Sequence, residues 1–535
     1  MLRINLLGVA AVAAVFAVSV TAQTWNCGYS TTTPPTAAVT ATLSEGTLTI
    51  SGRGDMMDFP NYPSNTWRDS KSSIIRVIIN DGVTSVGEKA FNGHTSLTSV
   101  TIPNSVTSIK NAAFFGCIGL ASVTIPDGVE IIGEDAFARC TSLTSVTIPG
   151  NVIRIGGDRV NVNGVAFDGC TGLTNIEVDN GNTVYSSIDG VLFNKSQDTL
   201  LNYPAGRQGA YIIPDGVTVI GAQAFNERTN LTSVIIPNSV ISIGSWAFDG
   251  CTGLTSLTIP NSVAYIGGFT GCTGLTSVTI LDGATAVTLG SWAFSGCTGL
   301  TSVTIPNSVT FIDYGAFNEC TGLTSVTIPN SVATIEHNAF DNCINLTSVT
   351  IPNSVTYMGY EAFRRCYRLT SVTIPNSVDS IKGGTFGECR SLTSIISLRA
   401  VPPAVVSSAF NGVPYSACLY VPETVKDAYS AANVWKDFEC IKSLDEYVSV
   451  KPVSRPKQGA TSFPRVSVKG RTLNISSPTN SVYNIRLVDM RGRTSARFSA
   501  SGSGSFSLSK LPSGRYIAEV KTAGTKTTTA IMVQR

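Results

Sequence analysis

The sequence predicts a β-rich solenoid, coiled in repeats of about 23 residues with short helical turns and followed by a small β-sandwich. Three observations predict it. One leucine-led phrase recurs along most of the chain, each copy alternates apolar and polar residues as a half-buried strand does, and near the C-terminus the alternation continues without the phrase. At 535 residues the chain is too long for one ordinary globular core, so an array or several domains is required.

The N-terminus reads as a secretory leader, residues 1–22. Arg3 gives a short positive segment, residues 6–20 are an apolar run, and Val20 and Ala22 supply the small residues of a cleavage site before Gln23. A membrane anchor is the competing reading, but the run is shorter than the roughly 20 residues a span needs. The mature chain is therefore expected to be exported and to contain no transmembrane span.

Residues 23–73 are expected to cap the array, which occupies 74–421. Leu97, Leu120, Leu143, Leu173, Leu231, Leu254, Leu275, Leu300, Leu323, Leu346, Leu369 and Leu392 each open the phrase, and from Leu300 to Leu392 the period is 23 without exception. In the copy at 300–320, Leu300, Val303 and Ile305 point inward while Ser302 and Thr304 point away. Pro306 cannot donate a ladder hydrogen bond and ends the strand, and Asn307 and Ser308 make the turn. Val309 and Ile312 form a second short strand, and Ala316 and Phe317 plug the interior from a tight turn. One coil buries too little to fold alone, so stacking must stabilise it, and about fourteen turns are expected. The segment 175–210 departs from the phrase. Asp189–Gly190 and Asn194–Lys195 lie between alternating apolar positions there, which predicts a local hairpin extension. A loop is lengthened at 157–164.

The recurring phrase LTSVTIPNSVTSI, followed by AF and GC, resembles the BspA-like leucine-rich repeat family of bacterial surface proteins. WNCG at 25–28 and LTISGRGDM at 48–56 are similar to that family's N-terminal segment. Cys418 with Tyr429, Trp435 and Phe438 is similar to its closing cap, placed at 422–442. The resemblance implies adhesion to host or other cell-surface components. After a linker at 443–463, residues 464–535 alternate like strands of a small sandwich. VDMRGR and LPSGRYIAEV in this segment resemble the C-terminal sorting domains of type IX secretion cargo. That resemblance implies contact with the secretion machinery and a place in the medium or on the outer surface of a Gram-negative cell. The segment carries twelve Lys and Arg against Asp489 and Glu519, a balance of +10 within a chain of net charge +2. A solvated basic face and a contact for anionic lipid or the export machinery are both open. For the molecule as a whole, charge gives no case for nucleic acid.

Enzyme chemistry finds no constellation. The chain has two histidines, and His94 occupies the slot that carries Cys117 in the following coil, so a structural role is expected for it. His337 lies about ten coils away, about 45–50 Å at the spacing of stacked strands. No nucleophile elbow, phosphate loop, zinc-protease helix or calcium loop occurs. The expectation is a protein that is not an enzyme and uses no cofactor or metal. Ten of the thirteen cysteines recur at one repeat position, from Cys117 to Cys389, and are expected to be reduced, buried plugs. Cys418 and Cys440 are the best pair for a disulfide, with Cys27 left over. Arg53-Gly54-Asp55 spells an integrin-binding tripeptide, but its glycine suits a strand-end turn.

The candidate site is the strand face. Thr101, Thr124, Thr147, Thr258, Thr279, Thr304, Thr327, Thr350 and Thr373 share the outward position, beside a parallel row of serines. Stacked, they would offer many weak donors and acceptors and little charge, suited to an extended extracellular protein or glycan. Arg364, Arg365, Arg368, Lys382 and Arg390 form a second candidate patch for acidic partners. The alternative is a surface spacer without a specific ligand, in which Thr and Ser merely suit exposed strands.

Overall fold

The computed structural model describes residues 22–28, 39–59, 67–157 and 165–450, with seven stretches between 465 and 533. The predicted leader falls outside the described residues except for Ala22, and the lengthened loop does so from residue 158 to 164. The chain divides into two compact units, 1–447 and 448–535.

The first unit is a β-solenoid of about 16 turns. Most coils contribute one short strand to each of two rows. In the first row Ser325–Thr327 pairs in parallel with Ser348–Thr350, Ser325 opposite Ser348, so one coil advances the register by one repeat. In the second row Val309–Ile312, Thr334–Ile335 and Tyr357–Met358 follow one another in the same way. Between the second strand and the next leucine the chain makes successive i→i+3 turns, with Ala316 N–H on Asp313 O and Cys320 N–H on Phe317 O, each 3.2 Å. The sequence leads to about fourteen turns. The additional ones come from the two ends, where Thr47–Ser51 pairs in parallel with Arg76–Ile79, and Cys418–Val421 continues from Ser394–Ser397.

The buried side chains meet their own copies. Phe91, Phe114, Phe137 and Phe167 stack in one run, and Tyr203, Phe225, Phe248, Phe269, Phe294, Phe317, Phe340, Phe363, Phe386 and Phe410 in another. Successive phenylalanine rings are 4.6–5.7 Å apart and within 15° of parallel. The interruption lies at the anomalous segment. Tyr185–Ile188, Val191–Asn194 and Thr199–Asn202 form an antiparallel meander, one strand more than a hairpin. Its last strand rejoins the second row against Val219–Ile220. Asp189 and Gly190 make the first turn with φ of 47° and 73°, the left-handed pair that a tight hairpin needs.

Tryptophans close both ends of the core. Trp67 lies 6.1 Å from Phe91 and donates to Ala90 O, and Trp435 lies 5.5 Å from Phe410 and donates to Pro403 O. Tyr429, Trp435 and Phe438 are buried in the closing cap, and a disulfide joins Cys418 to Cys440 across adjacent parallel strands. The segment expected as a linker opens with a helix, Leu444–Val450.

The recurring cysteines are free and buried, and each repeat thiol has a specific partner. Cys117 Sγ donates to Phe91 O at 3.2 Å, Cys320 to Phe294 O at 3.1 Å, and Cys389 to Phe363 O at 3.2 Å. A row of S–H donors thus adds a second, interior hydrogen bond from the next coil to carbonyls such as Phe91 O and Phe294 O, which already accept the i+3 N–H of their own turn. Burial holds the Cys320 and Cys343 thiols well above their ordinary range, so they stay protonated and unreactive. In the coil after the meander Arg228 takes this slot. It is fully buried, donates through Nε to Tyr203 O at 2.6 Å and pairs with Asp168 at 3.1 Å.

The second unit contains two antiparallel sheets, one of three strands and one of four. Leu473, Ile485, Leu487 and Leu508 are buried there, and Phe498 and Phe506, from different sheets, lie 4.9 Å apart.

Candidate ligand-binding face

Two threonine rows run along the first strands, and the structure separates their roles. The first threonine of the phrase is occupied within the fold at Thr98, Thr174, Thr276, Thr301, Thr324, Thr347, Thr370 and Thr393, though not at Thr144, Thr232 or Thr255. Thr276 Oγ1 donates to Thr255 O at 2.9 Å, Thr347 to Thr324 O at 3.0 Å and Thr393 to Thr370 O at 3.1 Å, each reaching its own copy one coil back. The serine of the PNS turn is a second clip, with Ser262 on Val240 O and Ser331 on Val309 O, both 2.6 Å. The predicted site threonines differ. Among the described residues, no side-chain hydrogen bond to protein occupies Thr101, Thr124, Thr147, Thr258, Thr279, Thr304, Thr327, Thr350 or Thr373. All are exposed except Thr373, which is half-buried.

The row is segmented. Thr258, Thr279 and Thr304 stand in register, and so do Thr327 and Thr350. Thr101 faces Ile78, Thr147 faces Glu177, and Thr373 faces Ile396. Thr124 lies on a segment without strand hydrogen bonding. In the middle of the array Ile212 and Ile235 take the position, in register and 66% and 57% exposed. A shallow cavity of about 370 Å³ beside them is lined by Ile235, Asn238, Thr258 and Leu281. The face is thus two hydroxyl tracts separated by a carboxylate and an exposed apolar pair.

The basic group is brought together but partly neutralised. Arg364 pairs with Glu361 at 2.7 Å, Arg390 with Glu388 at 2.7 Å, and Arg365 with Asp341 at 4.0 Å. Lys382 Nζ sits 5.9 Å over the Tyr357 ring, and Arg368 is exposed. Exposed pairs of this kind contribute little to stability, and they leave five cations offset by three carboxylates.

Sequence reasoning did not single out the aromatic residues on the second-strand side. Trp246, Tyr265, Trp292, Tyr314 and Tyr360 are all at least 40% exposed. Their signal was present, because the repeat carries Lys89, Ala112, Gln223 or Asn338 where Trp246 and Trp292 stand. Among the described residues no cluster of three metal-ligating side chains occurs, and no helix is long and apolar enough to cross a membrane.

A stacked array of short parallel strands with ringed core rows and an outward hydroxyl face defines a leucine-rich repeat protein. The BspA type leucine rich repeat region matches in six copies over 63–199, 208–324 and 287–413, and the chain belongs to that family. A secretion system C-terminal sorting domain matches residues 469–534. That domain implies handling by type IX secretion and marks a secreted or cell-surface protein of the Bacteroidetes type. No curated protein matches the sequence. Similar solved structures include a leucine-rich repeat protein from Eubacterium ventriosum, 25% identical, covering 64% of this chain and 95% of its own, with a TM-score of 0.47. Another, from Bacteroides ovatus, is 24% identical, covers 76% and 98%, and has a TM-score of 0.43. A leucine rich cell surface protein from Faecalibacterium prausnitzii is 28% identical, covers 61% and 95%, and has a TM-score of 0.39.

Proposed function

We propose that the protein is an adhesin, exported by way of its leader and sorting domain to the outer surface of a Gram-negative cell. There it binds an extended protein or glycan through the hydroxyl face and performs no catalysis. The observation that carries this reading is the division of labour between the two threonine rows. Most of one row is taken up by coil-to-coil hydrogen bonds, while its neighbour presents unengaged hydroxyls along two tracts. Each hydroxyl offers a donor and an acceptor, so a ligand running along the stack meets the same weak site at every coil. Weak sites repeated along one chain add through effective concentration.

The test is binding of the purified protein to an array of matrix proteins, glycans and cell-wall polysaccharides, beside a variant with Thr279→Glu, Thr304→Glu and Thr327→Glu. Saturable binding that the folded variant loses supports the hydroxyl face. Equal binding by both proteins removes the face as the site. A blank array from folded protein leaves a surface spacer.

A further inference from the structure

The two exposed tryptophans occupy one turn position of the repeat. Both stand before the Ala-Phe plug in the left-handed region, with φ of 54° at Trp246 and 57° at Trp292. Lys89, Ala112, Asp135, Gln223, Asn338 and Glu361 take the same position and conformation in other coils, so the turn itself is shared. What sets these two coils apart is the side chain. Each puts a large aromatic ring where other copies carry small or polar residues, and leaves it 57% exposed at Trp246 and 41% at Trp292.

The coil between them is built to match. Leu254 and Leu275 are 21 residues apart rather than 23, and Leu275 and Leu300 are 25 apart. The missing two residues come from the turn itself. Where the neighbouring coils read Gly-Ser-Trp-Ala-Phe, at 244–248 and 290–294, this one reads Gly267-Gly268-Phe269, with one glycine in place of Ser-Trp-Ala. The shortened turn opens a notch between the two tryptophan-bearing coils, which stand two strand spacings apart, about 10 Å. Both tryptophans line the notch, and the Trp292 ring also reaches the following coil, where a Cβ on Gly315 would come within 2.4 Å of it. Tyr265 forms a third side. Its ring crosses Gly290, where a Cβ would lie 2.1 Å from the ring, and its hydroxyl accepts the N–H of Ser291 at 3.2 Å.

The cavity so formed is about 550 Å³, and its lining contains no Asp, Glu, Lys or Arg. Gln223, Ser245, Thr270 and Ser291 supply the polar lining around the three rings. This combination specifies the ligand's chemistry. Flat apolar faces must stack on aromatic rings, polar groups must lie around the rim, and no formal charge is accommodated. A nucleotide would find no cation for its phosphates. A pyranose, with C–H faces and an equatorial belt of hydroxyls, meets all three demands. Along the stack Trp292 is followed by Tyr314 at 4.9 Å, Tyr314 by His337 at 6.1 Å, and His337 by Tyr360 at 5.1 Å. Further platforms therefore continue at about one per coil, near the rise per sugar of an extended polysaccharide.

We propose that the notch between Trp246 and Trp292 is a saccharide subsite, holding one uncharged hexose ring of a polysaccharide that continues over Tyr314 and Tyr360. This site lies on the second-strand side of the coil and does not rest on the hydroxyl face. It takes from the preceding section only that the protein meets glycans outside the cell.

The experiment is affinity electrophoresis and calorimetry of the full chain. The probes are hydroxyethylcellulose, xylan, galactomannan and laminarin, with heparin and polyproline as charged and peptide controls. At least one neutral polysaccharide should retard the protein. Trp246→Asn and Trp292→Asn should each weaken binding about tenfold or more. Because Asn338 already occupies the same backbone position, these variants should melt no lower than the parent. Trp292→Phe should retain part of the affinity, and the triple threonine variant should bind neutral polysaccharide normally. No retardation by any neutral probe overturns the proposal. So does undiminished binding by the double tryptophan variant, or retardation by heparin or polyproline alone. Loss in the threonine variant with none in the tryptophan variants would overturn it in favour of the hydroxyl face.

Discussion

The array from Leu300 to Leu392 and the stretch from Leu173 to Leu300 follow one repeat to very different degrees. In the first every leucine is 23 residues from the next. In the second the spacings include a meander of extra strands, a coil of 21 and a coil of 25. The ring stack breaks at the meander, between Phe167 and Tyr203, but past it the interior barely registers the altered coil lengths. Phe248, Phe269 and Phe294, which span the irregular coils, stack at 5.0 and 5.5 Å, and Phe317, Phe340 and Phe363 in the regular ones at 5.2 Å. A buried ring is constrained by its copies above and below, so any change meets two neighbours. A turn facing solvent meets none. Departures from the period therefore collect outside, and in this molecule they bring Ile212 and Ile235, the meander and the tryptophan notch.

The largest effect follows from the shared interior. Phe340→Ala in the regular array and Phe248→Ala beside the short coil should each cost about 3–5 kcal/mol, the range for removing a fully buried aromatic. Denaturant melts of the two variants check this. A much smaller loss at Phe248 would mean that the irregular stretch packs more loosely than its geometry states, and the comparison would fail.

A smaller effect comes from the slot that the cysteines fill. His94 stands there with no exposed surface. Burial, with Arg68 and Lys71 adding positive charge nearby, pushes its pKa from 6.5 down to about 4. The unfolded chain thus binds a proton between these values that the folded chain refuses. Stability from the neutral ring is complete above about pH 6.5 and is lost as pH falls toward 4, by up to about 3 kcal/mol. His94→Cys installs the residue of the other coils and removes the titration. The melting temperatures of variant and parent should diverge as pH drops from 7 to 4.5, with the variant higher. A difference independent of pH would show that His94 is not held neutral by the fold.

The same contrast explains what could be read from the chain alone. The strand phrase, the phenylalanine plug, the buried cysteine row and the turn at Asp189–Gly190 were legible because each is a local rule repeated or a short turn signature. The direction of a hydroxyl was not. Thr98 and Thr101 are the same residue type three positions apart, and only stacking shows that Thr98 reaches back to Ile75 O at 3.1 Å. Arg228 gave no signal in the sequence, because its partners Tyr203 and Asp168 lie 25 and 60 positions earlier. The short coil was visible as a count of residues, but its meaning needed both flanking tryptophans in three dimensions.

The smallest effect separates the two threonine rows directly. Thr347 donates to Thr324 O one coil back, whereas Thr350 has its hydroxyl in solvent. Valine matches threonine in shape and suits a strand, so Thr347→Val loses the hydrogen bond while keeping the packing. That should cost about 0.5–1 kcal/mol. Thr350→Val exchanges one exposed β-branched side chain for another and should stay within about 0.5 kcal/mol of the parent. Paired denaturant titrations, with several copies substituted together to enlarge the signal, check the order. If the outer row proved as costly to replace as the inner one, its hydroxyls would be serving the fold. The face would then have no unengaged donors to offer a ligand.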